Sequence, residues 1–296
     1  MAEMVSAQPE LVAPILGDPG AVDIARLVTE AVGRGEPVVI AGCGTSEHGA
    51  QAIARLLDAG LRQRGLRGGL VEARQALEAA VDPRPGGLFV AVSHDGGTRA
   101  TLLAAEAARH AGARVALVTA NAQGQIAAYA DAVVVTPLRD RSWCHTMAYS
   151  SVILAGGAVA ALAEATLDPG SLRASLAAAV VEGGRGGTFA AGLWGKRPLL
   201  ACGAGVNETS ACELALKVEE SPRLPCIARH LESLLHGHLA ACDAVTELVL
   251  LGVDPAGSRR DARLALSARA AVRVGMAAAA VLAAAAAKVA AEAEDW

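Results

Sequence analysis

Aromatic side chains are nearly missing: three Trp, two Tyr and two Phe make up 2% of the 296 residues. Platforms that stack on nucleic-acid bases need aromatic rings, so none is expected. Positive charge is not in excess either. Lys and Arg number 26 against 30 Asp and Glu, a formal net charge of −4, which argues against a nucleic-acid partner bound through phosphate neutralisation. The six cysteines, at 43, 144, 202, 212, 226 and 242, form no C-x-x-C pair, and no signal peptide is apparent ahead of them. Free thiols in a reducing cytoplasm are expected. No run is well suited to lipid. Thr146 to Ala163 is uncharged but contains Ser150, Ser151, Gly156 and Gly157, and the alanine-rich tail from Ala268 is broken by Arg273 and Lys288. Both read as helices buried in protein, and no membrane partner is expected.

What is present is apolar residue content, 53% against 19% charged, enough to bury a sizeable core. It is organised as strands alternating with helices. Pro37–Ala41, Gly87–Val92, Arg114–Thr119 and Asp131–Thr136 are apolar runs of strand length, with a further short strand at Gly69–Val71. Ala21–Gly33, His48–Gly60 and Arg99–His110 read as helices. Residues 1–20, with Pro9, Pro14 and Pro19, are expected to wrap the first domain. The alternation indicates a parallel sheet covered on both faces with right-handed crossovers.

The stretch Ser93-His94-Asp95-Gly96-Gly97-Thr98 lies where a strand hands over to a helix. Its glycines permit a tight turn that exposes backbone N–H groups, Ser93 and Thr98 add hydroxyls, and the helix start adds partial positive charge. That is the chemistry of an anion cradle. A capped helix start without ligand gives the same pattern, so the loop alone leaves both readings open.

A second copy begins near Pro198. Pro37-Val-Val-Ile-Ala-Gly-Cys-Gly-Thr-Ser-Glu47 lies over Pro198-Leu-Leu-Ala-Cys-Gly-Ala-Gly-Val-Asn-Glu208 without a gap, which suggests duplicated sheet domains. The Gly- and Ala-rich stretch Leu167–Gly195 is expected to join them, mostly as helix with a loop at Gly183–Gly187. A strand at Glu247–Val253, a polar turn at Asp254–Asp261 and helices are expected to follow. A dinucleotide fingerprint needs a third glycine where this chain has Glu47 and Glu208, so a nicotinamide cofactor is not expected.

Taken in order, these residues resemble the double sugar-isomerase (SIS) domain family, which includes the isomerase half of glucosamine-6-phosphate synthase. Gln8-Pro9 matches its Glu-Gln-Pro segment, Gly42-Cys-Gly-Thr-Ser46 its Gly-Cys-Gly-Thr-Ser loop, and Ser93–Thr98 its Ser-x-Ser-Gly-Glu-Thr phosphate loop. Ser142-Trp-Cys-His-Thr-Met-Ala-Tyr149 stands where the family has Ser-Val-Ala-Ser-Thr-Lys-Ala-Tyr. Glu213-Leu-Ala-Leu-Lys-Val-Glu-Glu220 stands where it has Glu-Gly-Ala-Leu-Lys-Leu-Lys-Glu, and Leu235-His236-Gly237 matches its Lys-His-Gly. The resemblance implies an α/β fold of two tandem SIS domains, residues 1–168 and 169–296, each a flavodoxin-like parallel sheet sandwiched by helices. It implies that Thr45, Ser46, Ser93 and Thr98 hold the phosphate of a sugar phosphate, within a substrate-binding set that also takes in Gly44, His94, Asp95, Gly96, His145 and Glu213. Glu220 would move a proton between C1 and C2, Lys217 would support it, and His236 would open the ring in the neighbouring subunit's site. A homodimer with a shared site is implied, with neither metal nor cofactor. With no glutaminase segment ahead of the repeat, a complete glutamine-dependent synthase is not expected.

The implied reaction suits these residue types. Aldose–ketose interconversion needs one base beside the carbonyl that returns the proton next door, and partial desolvation raises a carboxylate's pKa towards working pH. Glu213, Lys217 and Glu220 fall at i, i+4 and i+7, one helical face, where a surface salt-bridge stripe is the alternative. Three departures matter. Asp95 replaces a phosphate-binding serine, and a carboxylate ~4 Å from phosphate costs about 4 kcal/mol per unit charge at an effective dielectric near 20. His145 and Met147 replace a serine and a lysine, and the tail Ala-Glu-Ala-Glu-Asp-Trp296 offers no lysine nearer than Lys288. The expected function is therefore an aldose–ketose, aminating or deaminating isomerase of a sugar or amino-sugar phosphate. The alternatives are a non-catalytic sugar-binding protein and an isomerase whose loop holds an unphosphorylated sugar.

Overall fold

The computed structural model describes residues 2–66, 70–161, 167–182, 198–243, 245–252 and 271–276. The chain forms two compact units. The first comprises Ala7–Asp140 and Ala148–Ala174; the second comprises Met1–Ser6, Arg141–Met147 and Ser175–Trp296. Two short segments of the first half thus group with the second unit.

The chain opens on short turns, α1 (Ala2–Ala7), a 3-10 turn at Gln8–Leu11 and α2 (Val12–Leu16). Helix α3 (Pro19–Gly33) starts two residues earlier than the sequence suggests. Asp18 accepts a hydrogen bond from the Gly20 N–H at 2.8 Å, and Pro19 occupies the first helical position, where a missing N–H costs nothing. There follow β1 (Val38–Gly42), α4 (Thr45–Gln63), β2 (Val71–Gln75), α5 (Ala76–Val81), β3 (Leu88–Val92) and α6 (Arg99–His110). The first unit continues with β4 (Arg114–Thr119) and β5 (Ala132–Val135); α7 (Thr146–Ala161) and α8 (Pro169–Glu182) come next.

The first sheet is parallel throughout, in the order β2-β1-β3-β4-β5. Strands β1 and β3 are buried along their whole length, as expected of central strands with both faces covered. Alternate residues Val39, Ala41, Phe89, Ala91, Val115 and Leu117 share one core with α5 and α6. Helices α3 and α4 also pack on the sheet and contribute nothing to that core, so they cover the other face. The small residues of α7 permit close helix packing. A Cβ on Gly156 would lie 2.5 Å from Ile53 of α4, and one on Gly49 would lie 2.5 Å from Val152 of α7. The uncharged stretch from Thr146 is thus a helix buried in protein. Among the described residues, no helix is long and apolar enough to cross a membrane.

The second unit contains β6 (Leu199–Gly203), α9 (Val206–Glu220), β7 (Cys226–His230), α10 (Leu231–Leu235), β8 (Glu247–Gly252) and β9 (Ala271–Met276). Its sheet is also parallel, ordered β7-β6-β8-β9. Its local geometry repeats that of the first. Gly44 and Gly205, equivalent in the aligned stretches, have φ/ψ of 56°/−126° and 59°/−134°. A Cβ on Gly42 would meet the Ser46 backbone at 2.6 Å, and one on Gly203 the Asn207 backbone at 2.3 Å. Val38 pairs with Val71 and Leu88, and its counterpart Leu199 with Cys226 and Glu247. Gln75 and His230, each the last residue of the edge strand of its sheet, both cap the next helix through side-chain acceptors.

Other element boundaries also differ from the sequence reading. Helix α4 starts at Thr45 rather than His48, because the positive φ of Gly44 turns the chain directly into the helix. Strand β2 runs from Val71 to Gln75, not 69–71. It is a half-buried edge strand containing Glu72, Arg74 and Gln75, so it lacks the apolar run that marks a central strand. Strand β5 is shorter than 131–136, since the Asp131 carboxylate is taken up by the Val115 N–H at 2.9 Å and by Arg109. Ala271–Met276, expected as helix, is instead strand β9, paired in parallel with β8 along its whole length. Gly69, the loop at 183–187, the turn at 254–261 and the rest of the expected later helices, Lys288 included, lie outside the described residues.

Leu117 is fully buried in the core beneath α6. Leu117→Ala is expected to lower unfolding free energy by about 2–5 kcal/mol in urea titration. Val81→Ala, at a position 79% exposed, is expected to change it by less than about 0.5 kcal/mol.

Candidate functional site

The order of the first sheet reverses direction between β1 and β3. From β1 the chain crosses to β2 on one side, and β3 leads to β4 on the other. At such a switch point the loops leaving two adjacent strands part, and a crevice opens beyond their carboxyl ends. Ala41 pairs with Ala91, so the loops after Gly42 and Val92 leave the same sheet edge side by side. Cys43 Sγ lies 3.9 Å from the hydroxyl of Thr101 in the first turn of α6, which ties one loop to the other's helix.

Both loops start helices, and neither N-cap residue, Gly44 for α4 or Thr98 for α6, accepts a side-chain cap bond. The positive dipole ends of α4 and α6 therefore lie at this end of the sheet, although in α4 the Ser46 and Glu47 N–H groups donate to Cys43 O at 3.1 Å and Gly44 O at 2.9 Å. Thr98 points its hydroxyl 3.1 Å from that of fully buried Ser93 instead. The loop is stiff. The Gly96 N–H donates to Ser93 O at 3.1 Å, Gly96 O accepts from the Ile126 N–H at 2.9 Å, and Asn121 Nδ2 donates to Asp95 O at 3.0 Å. Gly96 has φ +66°, and a Cβ there would lie 2.7 Å from Asn121 O, so no other residue fits. Gly97 is open, its nearest contact 4.0 Å away.

His94 is buried at 6% exposure and acts as a brace. Its Nε2 accepts from the Asp140 N–H at 2.7 Å, and its carbonyl accepts from the Ala120 N–H at 3.0 Å. Asp95 is more than half exposed and is met by Arg139 Nη2 at 2.8 Å. Arg139 was not singled out from the sequence, because it lies 44 positions from Asp95 in a segment without a motif. Glu47, in the first turn of α4, is a second acidic group at this edge. Burial pushes its carboxyl above the usual range; His48 opposes this and Glu78 adds to it.

In the second unit, α9 brings three of the expected residues together. Lys217 is 2% exposed, with Nζ 2.5 Å from Glu220 Oε2 and 3.4 Å from Glu213 Oε1. Glu213 is equally buried, while the Glu220 side chain is 32% exposed. The stripe is therefore not a surface one. His236 belongs to a different element, just past α10. It is 80% exposed, and its Nε2 lies 3.5 Å from Glu232. His145, with φ 46°, sits in a turn whose Ser142 Oγ accepts from the Thr146 N–H at 3.3 Å. Met147 is fully buried.

Residues 36–165 match the family model of the SIS domain. Among solved structures, the chain is similar to the C-terminal domain of glucosamine-fructose-6-phosphate aminotransferase from Francisella tularensis, at 17% identity and TM-score 0.79, covering 99% of this chain and 95% of that one. It is similar to tagatose-6-phosphate ketose/aldose isomerase from Escherichia coli at 16% identity and TM-score 0.74, covering 98% and 92%. It is also similar to glucosamine-6-phosphate deaminase from Thermotoga maritima at 17% identity and TM-score 0.69, covering 97% and 91%. No curated protein sequence matches it. The segment that holds the first sheet thus matches the SIS domain, and the whole chain shares its fold with these structures.

The raised carboxyl of Glu47 binds its proton more tightly in the folded than in the unfolded chain. It therefore supports stability at low pH and loses that contribution as pH rises through its folded pKa. Glu47→Gln is expected to raise Tm relative to wild type more at pH 7 than at pH 4, read by thermal melts at both values.

Proposed function

We propose that the chain binds a sugar phosphate and catalyses an isomerisation of it, by moving a proton between C1 and C2, alone or coupled to amination or deamination. The observation that carries this reading is the pair of helix starts at the switch point of the SIS sheet. Two dipole ends without side-chain caps, the Ser93 and Thr98 hydroxyls and a stiff glycine loop make one anion cradle. Gly44, Thr45 and Ser46 form the second wall. His94 braces the loop from beneath.

The second unit is proposed to be a degenerate SIS copy, giving a tandem pair, with residues 1–168 and 169–296 as the two domains. The matched glycine geometry, strand register and helix caps support this. The catalytic set is proposed to lie there. Glu220 is the base, and as a carboxylate it takes the proton from the carbon beside the carbonyl and returns it to the neighbouring carbon. Lys217 aims it through the 2.5 Å contact, and Glu213 holds the other side of that lysine. His145 is proposed beside the sugar. His236, 80% exposed, is proposed to serve the site of a second copy, which makes a homodimer the working unit. Six free thiols support a cytoplasmic setting.

A non-catalytic sugar-phosphate binding protein is the second reading, favoured by the pairing of His236 with Glu232 rather than with the α9 carboxylates.

Turnover of a panel of hexose and hexosamine 6-phosphates separates the two. Glu220→Gln is expected to cut kcat roughly 10²- to 10⁴-fold with little change in ligand-induced thermal stabilisation. Stabilisation without any turnover by the wild type selects the second reading. Ser93→Ala with Thr98→Ala is expected to abolish stabilisation by phosphorylated sugars. Lys217→Met removes the buried cation from the Glu213–Lys217–Glu220 group and is expected to cost about 3–5 kcal/mol of stability, measured by urea unfolding.

A further inference from the structure

A carboxylate inside a phosphate loop is a contradiction unless something cancels it. The first unit contains that something. Arg139 Nη2 meets Asp95 Oδ1 at 2.8 Å, with the two side chains 59% and 55% exposed. An exposed pair of this kind contributes little to stability. Its surroundings nevertheless fix where the charges stand. The residue after Arg139 is stapled to the residue before Asp95: the Asp140 N–H donates to His94 Nε2 at 2.7 Å, and both residues are buried. Asp140 is fixed in turn by its Oδ2, which accepts from the Ala148 N–H at 3.3 Å. The Asp95 backbone is held by Asn121 Nδ2 at 3.0 Å. Two adjacent pairs, one buried and one exposed, thus zip the segment after β5 onto the glycine loop.

A guanidinium carries five N–H donors in a planar fork. Among the described residues, Asp95 accepts one of them and is the sole recorded hydrogen-bond partner of Arg139. The remaining donors match the oxygens of a phosphate, which Arg can hold in a bidentate manner. We propose that Arg139 sets the ligand specificity of the loop, neutralising Asp95 and placing its unused donors on the phosphate of a phosphorylated sugar. This rests on the anion-cradle reading of the loop. Asp95 becomes the gate: without Arg139 its charge repels phosphate, and with Arg139 the pair presents a net donor surface. A ligand without phosphate gains nothing from Arg139.

The test is binding of fructose 6-phosphate and of free fructose to wild type, Arg139→Ala, Asp95→Ser and the double variant, by calorimetry. Thermal melts confirm that each is folded, and both positions are exposed enough for the fold to tolerate change. Arg139→Ala is expected to weaken fructose 6-phosphate binding about tenfold or more, a change of about 1.4 kcal/mol, with fructose binding altered less than about twofold. In the Asp95→Ser background the same substitution is expected to cost less than about a third as much in fold-change, because no carboxylate remains to be cancelled. Equal phosphate affinity with and without Arg139, or an equal loss in both backgrounds, overturns the proposal. Binding of neither fructose 6-phosphate nor inorganic phosphate by wild type overturns the anion-cradle reading itself.

Discussion

The parallel pairing of β1 with β3 is the constraint on which the rest of the first unit depends. It joins two strands whose crossovers leave in opposite directions, so their carboxyl ends open onto one crevice. Because each strand leads through a short loop into a helix, two dipole ends arrive at the same end of the sheet. The glycines are what make this arrival possible. Gly42 lets the Ser46 backbone close on β1, and Gly44 turns the chain at φ 56°. Gly96 packs against Asn121, where any side chain would collide. None of these positions holds a ligand group; each allows backbone N–H groups to approach something else.

Much of this was legible in the sequence, because the signals are local. Apolar runs of five residues ending in Gly-rich loops mark central parallel strands, and those were found. The Pro37 and Pro198 stretches aligned without a gap, and the two sheets repeat at the level of φ/ψ and register. Edge elements were harder. Strand β2 is half-buried and polar, so its pattern is that of a loop until its neighbour is known. The burial of the α9 lysine is not legible from spacing alone, since Glu213, Lys217 and Glu220 on one helical face fit a solvated stripe as well as a functional cluster. Only burial of Lys217 and Glu213 at 2% exposure distinguishes the two. Arg139 was invisible for a third reason: its meaning arises from a partner 44 residues away.

The two units differ in what their repeated geometry has become. In the first, the helix starts at the sheet edge carry hydroxyls, glycines and an ion pair. In the second, the equivalent position of Ser46 is Asn207, which is buried and donates to the Leu251 carbonyl at 3.3 Å. That side chain is committed to the sheet rather than to a ligand. The charged chemistry of the second unit sits instead at the far end of α9. Polar groups are thus concentrated at different ends of helices that follow matching strands in the two sheets.

The central claim is that the two helix starts at the β1/β3 switch point hold a phosphate. Amide chemical shifts of the full chain during titration with a hexose 6-phosphate test it most directly. The account predicts that the N–H signals of Thr45, Ser46 and Gly97–Thr101 move together with one dissociation constant, while those of Val206–Glu208 at the equivalent position do not. Saturable binding that leaves both loops unmoved, or that moves the second unit's helix start alone, would contradict it.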